Sequence, residues 1–207
     1  MKFYTSPRAP SPRRVSIFLA EKGITGLEEI TVSIAANAHK DEAFLAKNPL
    51  AKVPALELDD GRILTETRAI CTYLEGLYPE TNLMGVDATE RAFIEMADRR
   101  IELYLFSGFA NCIRHTHPGF VAIEQPQFPD FGASQGEKVR EVARWLDSEL
   151  AHRPFVAGER FTIADITTFC ALEFGRGLMK FVPGNEGMPH LQAYRDNWVL
   201  RASAKVL

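Results

Sequence analysis

Residues suited to holding a reactive anion begin almost at the N-terminus, in the stretch "SPRAPSPRRV" at positions 6–15. It places two serine hydroxyls and three arginines around the start of a predicted helix. The first backbone N–H groups of a helix have no partner inside it, and the helix dipole favours negative charge there. The stretch therefore indicates an anion site built from a hydroxyl and backbone amides.

Two further stretches suit a peptide-like ligand. In "KVPAL", residues 52–56, a proline opens a predicted strand, where a cis bond is common and Val53 lacks ladder partners. An extended peptide could pair with the N–H and C=O of Val53. In "TETRAI", residues 65–70, Glu66 suits a ligand ammonium, and Thr67 with the helix amides suits a carboxylate. Taken singly, each stretch is more often only an edge strand or a helix cap.

Strands and helices alternate in the part of the chain that carries these residues. The patterns predict a strand at 1–5, a helix at 12–22, a strand at 28–34, a short helix at 41–47, a hairpin around 59–61 and a helix at 66–78. Strand, helix, strand favours a parallel pair. The whole order fits a mixed four-stranded sheet of thioredoxin type, although order alone leaves other α/β topologies open.

Redox members of the thioredoxin fold carry Cys-x-x-Cys at the start of the first helix. This chain has Ala9, Pro10, Ser11 and Pro12 there, so disulfide exchange by its own thiols is disfavoured. The better candidate for the anion is the thiolate of a separate molecule.

The second half predicts helices only. After "YPETNLMGVDATE" the strand-like alternation ends, so we expect a domain at 1–80, a linker at 81–87 and an all-helical domain at 88–207. Helices are predicted at 89–115, 135–150 and 189–202, with a Pro- and Phe-rich loop at 117–134. Thr162 and Asp165 have capping-box spacing and begin another helix.

Composition excludes several classes of protein. The 207 residues are 46% hydrophobic and 25% charged, with a net charge of −3, which is typical of a soluble globular protein. We therefore expect neither a nucleic-acid partner nor a membrane partner, and a cytoplasmic location. Three widely spaced cysteines make a disulfide framework improbable. His115 and His117 lack a third nearby ligand, so we expect no metal.

Taken together, the stretches resemble the glutathione transferase family over nearly the whole chain. The resemblance rests on "FYTSPRAPSPRRVSIFLAEKGI", "HKDEAFLAKNPLAKVPALELDDG" and "LTETRAICTYL", and on "GERFTIADI" and "PHLQAYRDNW" in the helical half. It implies an N-terminal thioredoxin-like domain, with the order βαβ-α-ββα, followed by an all-helical domain. It also implies a homodimer that conjugates glutathione to small hydrophobic electrophiles bound between the domains.

The resemblance also assigns residues to parts of glutathione. Val53 and Pro54 would hold the cysteinyl backbone, and Glu66 and Thr67 the γ-glutamyl head. The glycine carboxylate would lie near His39, Lys40 and Lys52. For His39, a solvated loop histidine is an equally good interpretation.

The chain departs from the family pattern at the residue that activates the thiol. The usual Ser or Cys position aligns with Ala9, which has no polar side-chain atom, and Ser11 lies two places later. We assign the role to Ser11, with Ser6, Tyr4 or backbone amides alone as alternatives. Lowering a thiol pKa from about 8.5 to about 6.5 requires about 2.7 kcal/mol, which a hydrogen bond and a helix N-terminus can supply.

Other activities remain open in this interpretation. The same thiolate could serve a glutathione-dependent peroxidase or disulfide reductase, and Ala9 makes a non-catalytic binding module credible. Arg13 and Arg14 are expected to face solvent or the second domain. Candidate walls for the electrophile carry Phe120, Phe128, Phe131, Tyr104, Phe106 and Phe109, most of which we expect in the core.

Overall fold

The computed structural model describes residues 1–206, which divide into two units. The first contains residues 1–82 and the segment from Ala202 onward, and the second contains residues 83–201. The first unit is α/β and the second is entirely helical.

The first unit follows the predicted order of elements. Its strands and helices are β1 (Lys2–Thr5), α1 (Pro10–Glu21), β2 (Glu28–Thr31), a 3-10 turn (Ala38–Lys40), α2 (Glu42–Leu45), β3 (Ala55–Glu57), β4 (Ile63–Thr65) and α3 (Thr67–Leu77). A last 3-10 turn spans Ala202–Lys205. The sheet order is β2-β1-β3-β4, with β1 and β2 parallel and the other two pairs antiparallel. The predicted mixed four-stranded sheet is confirmed.

The core of the first unit lies where apolar residues of the strands meet those of α1 and α3. Phe3, Phe18, Leu56, Ile70 and Leu74 are fully buried. In α3, Ile70 and Leu74 are four residues apart, and in α1, Phe18 follows buried Val15 by three, so each helix buries one face. This core fixes the two helices whose first turns carry Ser11 and Thr67.

The second unit is a bundle of helices. It comprises α4 (Ala88–Arg100), a π-helical segment (Ile101–Phe106), α5 (Ser107–Thr116), α6 (Pro129–Leu150), α7 (Ile163–Met179) and α8 (Pro189–Val199), with 3-10 turns at Pro118–Phe120 and Pro183–Glu186. The single helix predicted at 89–115 is therefore interrupted by π geometry. The hydroxyl of Ser107 donates to the carbonyl of Glu102 at 2.8 Å, within that wider turn.

Helix α6 begins six residues earlier than predicted, at Pro129 instead of Gln135. A Cβ on Gly132 would lie 2.7 Å from Thr116 Cγ2, and one on Gly136 would lie 3.2 Å from the Cys112 sulfur. These glycines permit close packing of α6 on α5, so the stretch predicted as loop is helical. The loop shortens accordingly to residues 117–128.

The capping box predicted at the start of α7 is confirmed. The N–H of Thr162 donates to Asp165 Oδ2 at 2.8 Å, while the N–H of Val156 and the hydroxyl of Tyr194 donate to Oδ1. Burial raises the pKa of Asp165 to about 6, although these donors favour its charged form. One carboxyl thus joins the start of α7 to α8 and to the preceding loop.

Across residues 1–206, no helix combines the length and the apolar character needed to cross a lipid bilayer.

Candidate functional site

Three of the predicted site segments meet at one edge of the sheet. Ala55, the first residue of β3, pairs with Tyr4 of β1 on one side and with Thr65 of β4 on the other. Val53 and Pro54 therefore precede β3 at the edge where β1 leads toward α1 and β4 leads into α3. The register brings the starts of α1, β3 and α3 together, as the three motifs require.

The loop before β3 leaves the backbone of Val53 open. The Val53–Pro54 bond is cis. Among residues 1–206, neither the N–H nor the C=O of Val53 has a hydrogen-bond partner, so both can pair with an extended ligand.

Asn48 shapes this loop and was not identified from the sequence. It is buried, its amide donates to the carbonyl of Lys52 at 2.8 Å, and its oxygen accepts the N–H of Leu50 at 3.1 Å. The contact two residues ahead is an Asx turn, so the Asn in "NPLAKVPAL" was a usable signal.

The start of α1 presents two donors from one residue. Pro10 and Pro12 have no N–H, and the N–H of Arg13 already donates to the carbonyl of Ala9 at 3.2 Å. Ser11 is half-buried, and within the described chain neither its N–H nor its hydroxyl has a hydrogen-bond partner. Both groups can therefore donate to an anion at the helix N-terminus.

Helix α3 begins beside the same turn. The hydroxyl of Thr67 donates to the carbonyl of Ser11 at 3.2 Å, which joins the first turns of α1 and α3 directly. The Thr67 side chain is buried, so a ligand carboxylate would bind mainly to the backbone N–H groups at the start of α3. Glu66 precedes them with its side chain exposed to solvent.

His39, Lys40 and Lys52 form a positive cluster. Burial and the charges of the two lysines lower the pKa of His39, which favours its neutral form. Its Nδ1 is buried and has no hydrogen-bond partner in the part of the chain described. Lys40 and Lys52 are exposed, so the positive charge available to a ligand carboxylate comes from them.

Tyr4 is already engaged elsewhere. Its hydroxyl donates to Glu57 Oε2 at 2.6 Å, and Lys47 donates to the same oxygen at 2.7 Å. Burial raises the pKa of Tyr4, while Lys47 and Tyr4 hold the pKa of Glu57 at about 2. Because the Tyr4 hydroxyl already donates to Glu57, we disfavour Tyr4 as the residue that activates the thiol. Ser6 is buried, and its carbonyl accepts the N–H of Ala9 at 3.1 Å.

Unusual backbone conformations lie next to every predicted segment. Arg8, Asn37, Ala51 and Glu66 have φ values of +67°, +58°, +53° and +64°. Positive φ is uncommon for residues other than glycine, costs about 1–3 kcal/mol and concentrates at functional sites. Of the four residue types only Asn is enriched at positive φ, so the other three conformations could not be predicted from residue type.

The aromatic candidates divide between core and surface. Phe106 and Phe109 are buried and cannot line an open site, whereas Tyr104, Phe128 and Phe131 are exposed and Phe120 is half-buried. The expectation that most of the six lie in the core is therefore wrong, because only two of them are buried.

His115 and His117 hold the loop at 117–128 in place. The Nδ1 atom of His115 accepts the N–H of Phe128 at 3.1 Å, and that of His117 accepts the N–H of Gly119 at 3.0 Å. Within residues 1–206, no group of three or more His, Cys, Asp or Glu side chains has an arrangement that could hold a metal ion.

Known proteins match both units. Residues 3–82 match the family model "Glutathione S-transferase, N-terminal domain" and residues 112–201 match "Glutathione S-transferase, C-terminal domain". Glutathione S-transferase 2 of Saccharomyces cerevisiae is 34% identical, covering 100% of this chain and 89% of its own length.

Solved structures of glutathione transferases are also similar to this chain. A glutathione S-transferase domain-containing protein from Marinobacter aquaeolei has a TM-score of 0.92 and 38% identity, covering 98% of this chain and 99% of its own. A glutathione transferase homologue from sulfitobacter, solved with bound glutathione, has a TM-score of 0.79 and 26% identity, covering 98% of this chain and 93% of its own.

Proposed function

This chain belongs to the glutathione S-transferase family, and from that premise we propose that it conjugates glutathione to small hydrophobic electrophiles, with Ser11 stabilising the thiolate. The enzyme class follows from the family. The electrophile and the roles of individual residues are the proposal.

One observation carries the placement of glutathione: the strand register gathers the starts of β3, α1 and α3 at one edge. The open N–H and C=O of Val53, beside Pro54, suit the backbone of the cysteinyl residue. Glu66 and the first amides of α3, at Thr67, suit the γ-glutamyl ammonium and carboxylate.

The glycine carboxylate of glutathione would bind to the positive cluster. Lys40 and Lys52 supply the positive charge, and neutral His39 adds a ring N–H that can donate a hydrogen bond to the carboxylate. Each part of the tripeptide then has a partner of matching chemistry, which supports glutathione as the co-substrate.

Thiolate stabilisation would come from the two donors of Ser11. The sulfur attacks an electrophilic carbon, a new C–S bond forms, and the leaving group departs with the bonding electron pair. The thiol proton is lost to solvent before attack, because the N–H and hydroxyl of Ser11 lower the thiol pKa.

A hydrophobic electrophile is proposed because the helical unit exposes apolar surface. Val121, Ile123, Phe128 and Phe131 are exposed in and just after the loop at 117–128. Clustered exposed apolar side chains are typical of binding surfaces.

Three assays test this function together. We expect retention on immobilised glutathione, conjugation of a chlorinated dinitrobenzene, and weaker glutathione-driven reduction of a hydroperoxide. Dominant hydroperoxide reduction would favour the peroxidase alternative. Retention without either reaction would leave a binding module and refute the enzymatic proposal.

We also propose a homodimer, as is usual in the family. Phe93, Met96 and Leu103 are exposed at spacings of three and seven along α4 and the π-helical segment, which places them on one stripe. Leu103→Asp should dissociate the dimer in sedimentation velocity, whereas Leu200→Asp, at an exposed site after α8, should not. A monomeric wild-type protein would refute this.

A cytoplasmic location completes the proposal. Cys71, Cys112 and Cys170 are present as buried thiols, as is usual in a reducing compartment where glutathione is abundant. Fractionation of the expressing cell tests it.

A further inference from the structure

The segment at 202–206, called here the terminal strap, is bound to helix α1. Arg13 Nε donates to the carbonyl of Val206 at 3.1 Å, and Arg13 Nη2 donates to the carbonyl of Ala204 at 2.7 Å. Ser203 and Ala204 are buried in the same unit as α1. The strap is therefore part of the α/β unit although it follows the helical unit in sequence.

A second contact binds the strap at the other end of α1. The hydroxyl of Ser203 donates to a carboxylate oxygen of Glu21, the last residue of that helix. Arg13 and Glu21 are eight residues apart, which corresponds to about 12 Å along a helix. The strap thus spans α1 from its first turn to its last.

Arg13 is well suited to this contact. Its planar guanidinium presents N–H groups in a rigid fork, and two of them reach two carbonyls of the strap. The sequence predicted that Arg13 and Arg14 face solvent or the second domain. That is wrong for Arg13, whose partners lie within its own unit, and Arg14 is buried.

The strap contact lies two residues from Ser11. The N–H of Arg13 makes the first hydrogen bond of α1, to Ala9, and the carbonyl of Ser11 accepts from Thr67. The first turn of α1 is therefore held by α3 at Ser11 and by the strap at Arg13. Because a hydrogen bond depends on both its length and its angle, a tilt or shift of this turn would weaken the bonds that the two Ser11 donors make.

We propose that Arg13 is a positioning residue: by binding the terminal strap it holds the first turn of α1 so that Ser11 points its N–H and hydroxyl at the glutathione thiol. This inference rests on the proposed function. It does not require Arg13 to touch glutathione.

Four variants separate positioning from charge. Arg13→Gln removes the charge and the fork, whereas Arg13→Lys keeps the charge and loses the fork. Ser203→Ala breaks the other anchor without changing the charge of the protein. Arg8→Gln removes an exposed charge just before α1 and is the matched control.

Amide hydrogen exchange in the absence of glutathione tests the strap itself. We expect faster exchange in the first turn of α1 for Arg13→Lys and Ser203→Ala, and unchanged exchange for Arg8→Gln. Unchanged exchange in both strap variants would overturn the inference. This outcome is independent of whether the protein binds glutathione.

Titration of bound glutathione by thiolate absorbance tests the consequence. Arg13→Lys and Arg13→Gln should both raise the thiol pKa by about half a unit or more, which lowers the ratio of thiolate to thiol about threefold at a fixed pH. A wild-type pKa in Arg13→Lys with a raised one in Arg13→Gln would show that only charge matters and would overturn the inference. Absence of glutathione binding by wild-type protein would instead refute the proposed function.

Discussion

Substitution of Ser11 by Ala is the sharpest test of how the thiol is activated. Because Pro10 and Pro12 contribute no N–H, Ser11 supplies both available donors at the start of α1. The substitution removes the hydroxyl and leaves the N–H in place. It therefore deletes one of two donors without altering the helix.

The size of the effect follows from the strength of that hydrogen bond. A hydrogen bond to a charged group contributes about 1.5–3 kcal/mol, and one pKa unit corresponds to about 1.36 kcal/mol. The pKa of bound glutathione should rise by about one to two units. At a pH equal to the wild-type thiol pKa, a rise of one unit lowers the thiolate fraction about fivefold.

The assay is a pH titration of bound glutathione by thiolate absorbance, together with the pH profile of kcat/KM. Glutathione affinity should change little, because other residues bind the tripeptide. Ser16→Ala is the matched control, since that hydroxyl donates to the carbonyl of Pro12 within the same helix. An unchanged thiol pKa in Ser11→Ala would refute this reasoning and shift the role to Ser6 or to backbone amides alone.

Four further predictions concern stability. Gly175→Ala should lower the free energy of unfolding by about 1–3 kcal/mol, because its Cβ would lie 2.4 Å from the Phe109 ring. Gly177→Ala, with nothing within 4 Å, should raise it by about 0.5–1 kcal/mol in the same urea titration. A pKa of about 2 means that Glu57 contributes stability above its unfolded pKa and loses it as pH falls from about 4.5 toward 2. In Glu57→Gln the free energy of unfolding should depend less on pH between about 4.5 and 2. An equally steep dependence in this variant would contradict a lowered pKa for Glu57. Asp165→Ala should cost about 3 kcal/mol or more in urea unfolding, because several buried donors lose their acceptor, and a loss below about 1 kcal/mol would contradict this.

Much of the α/β unit was predictable because its signals are local. Alternation, a proline at a strand start and hydrophobic residues at helical spacing each depend on neighbours in sequence, and they predicted the sheet that the structure confirms. The capping box at Thr162 and Asp165 was predictable for the same reason.

The features that escaped prediction depend on distant contacts. The early start of α6 requires glycines to fit closely against α5, and the terminal strap joins Arg13 to residues about 190 positions away. The left-handed conformations of Arg8, Ala51 and Glu66 have no compositional signal, because these residue types usually avoid positive φ.

The π-helical segment at Ile101–Phe106 determines how the long helix of the second unit can change in evolution. A π turn holds one residue more than an α turn. The wider turn absorbs the extra residue, so α5 leaves the segment in nearly the direction that a continuous α-helix one residue shorter would give it. Fully buried Phe109 and Ile113 of α5 and the exposed residues of α4 therefore keep their directions if that one residue is lost. Homologues that share both surfaces should accordingly differ by one residue here whenever they have an α turn in place of the π turn.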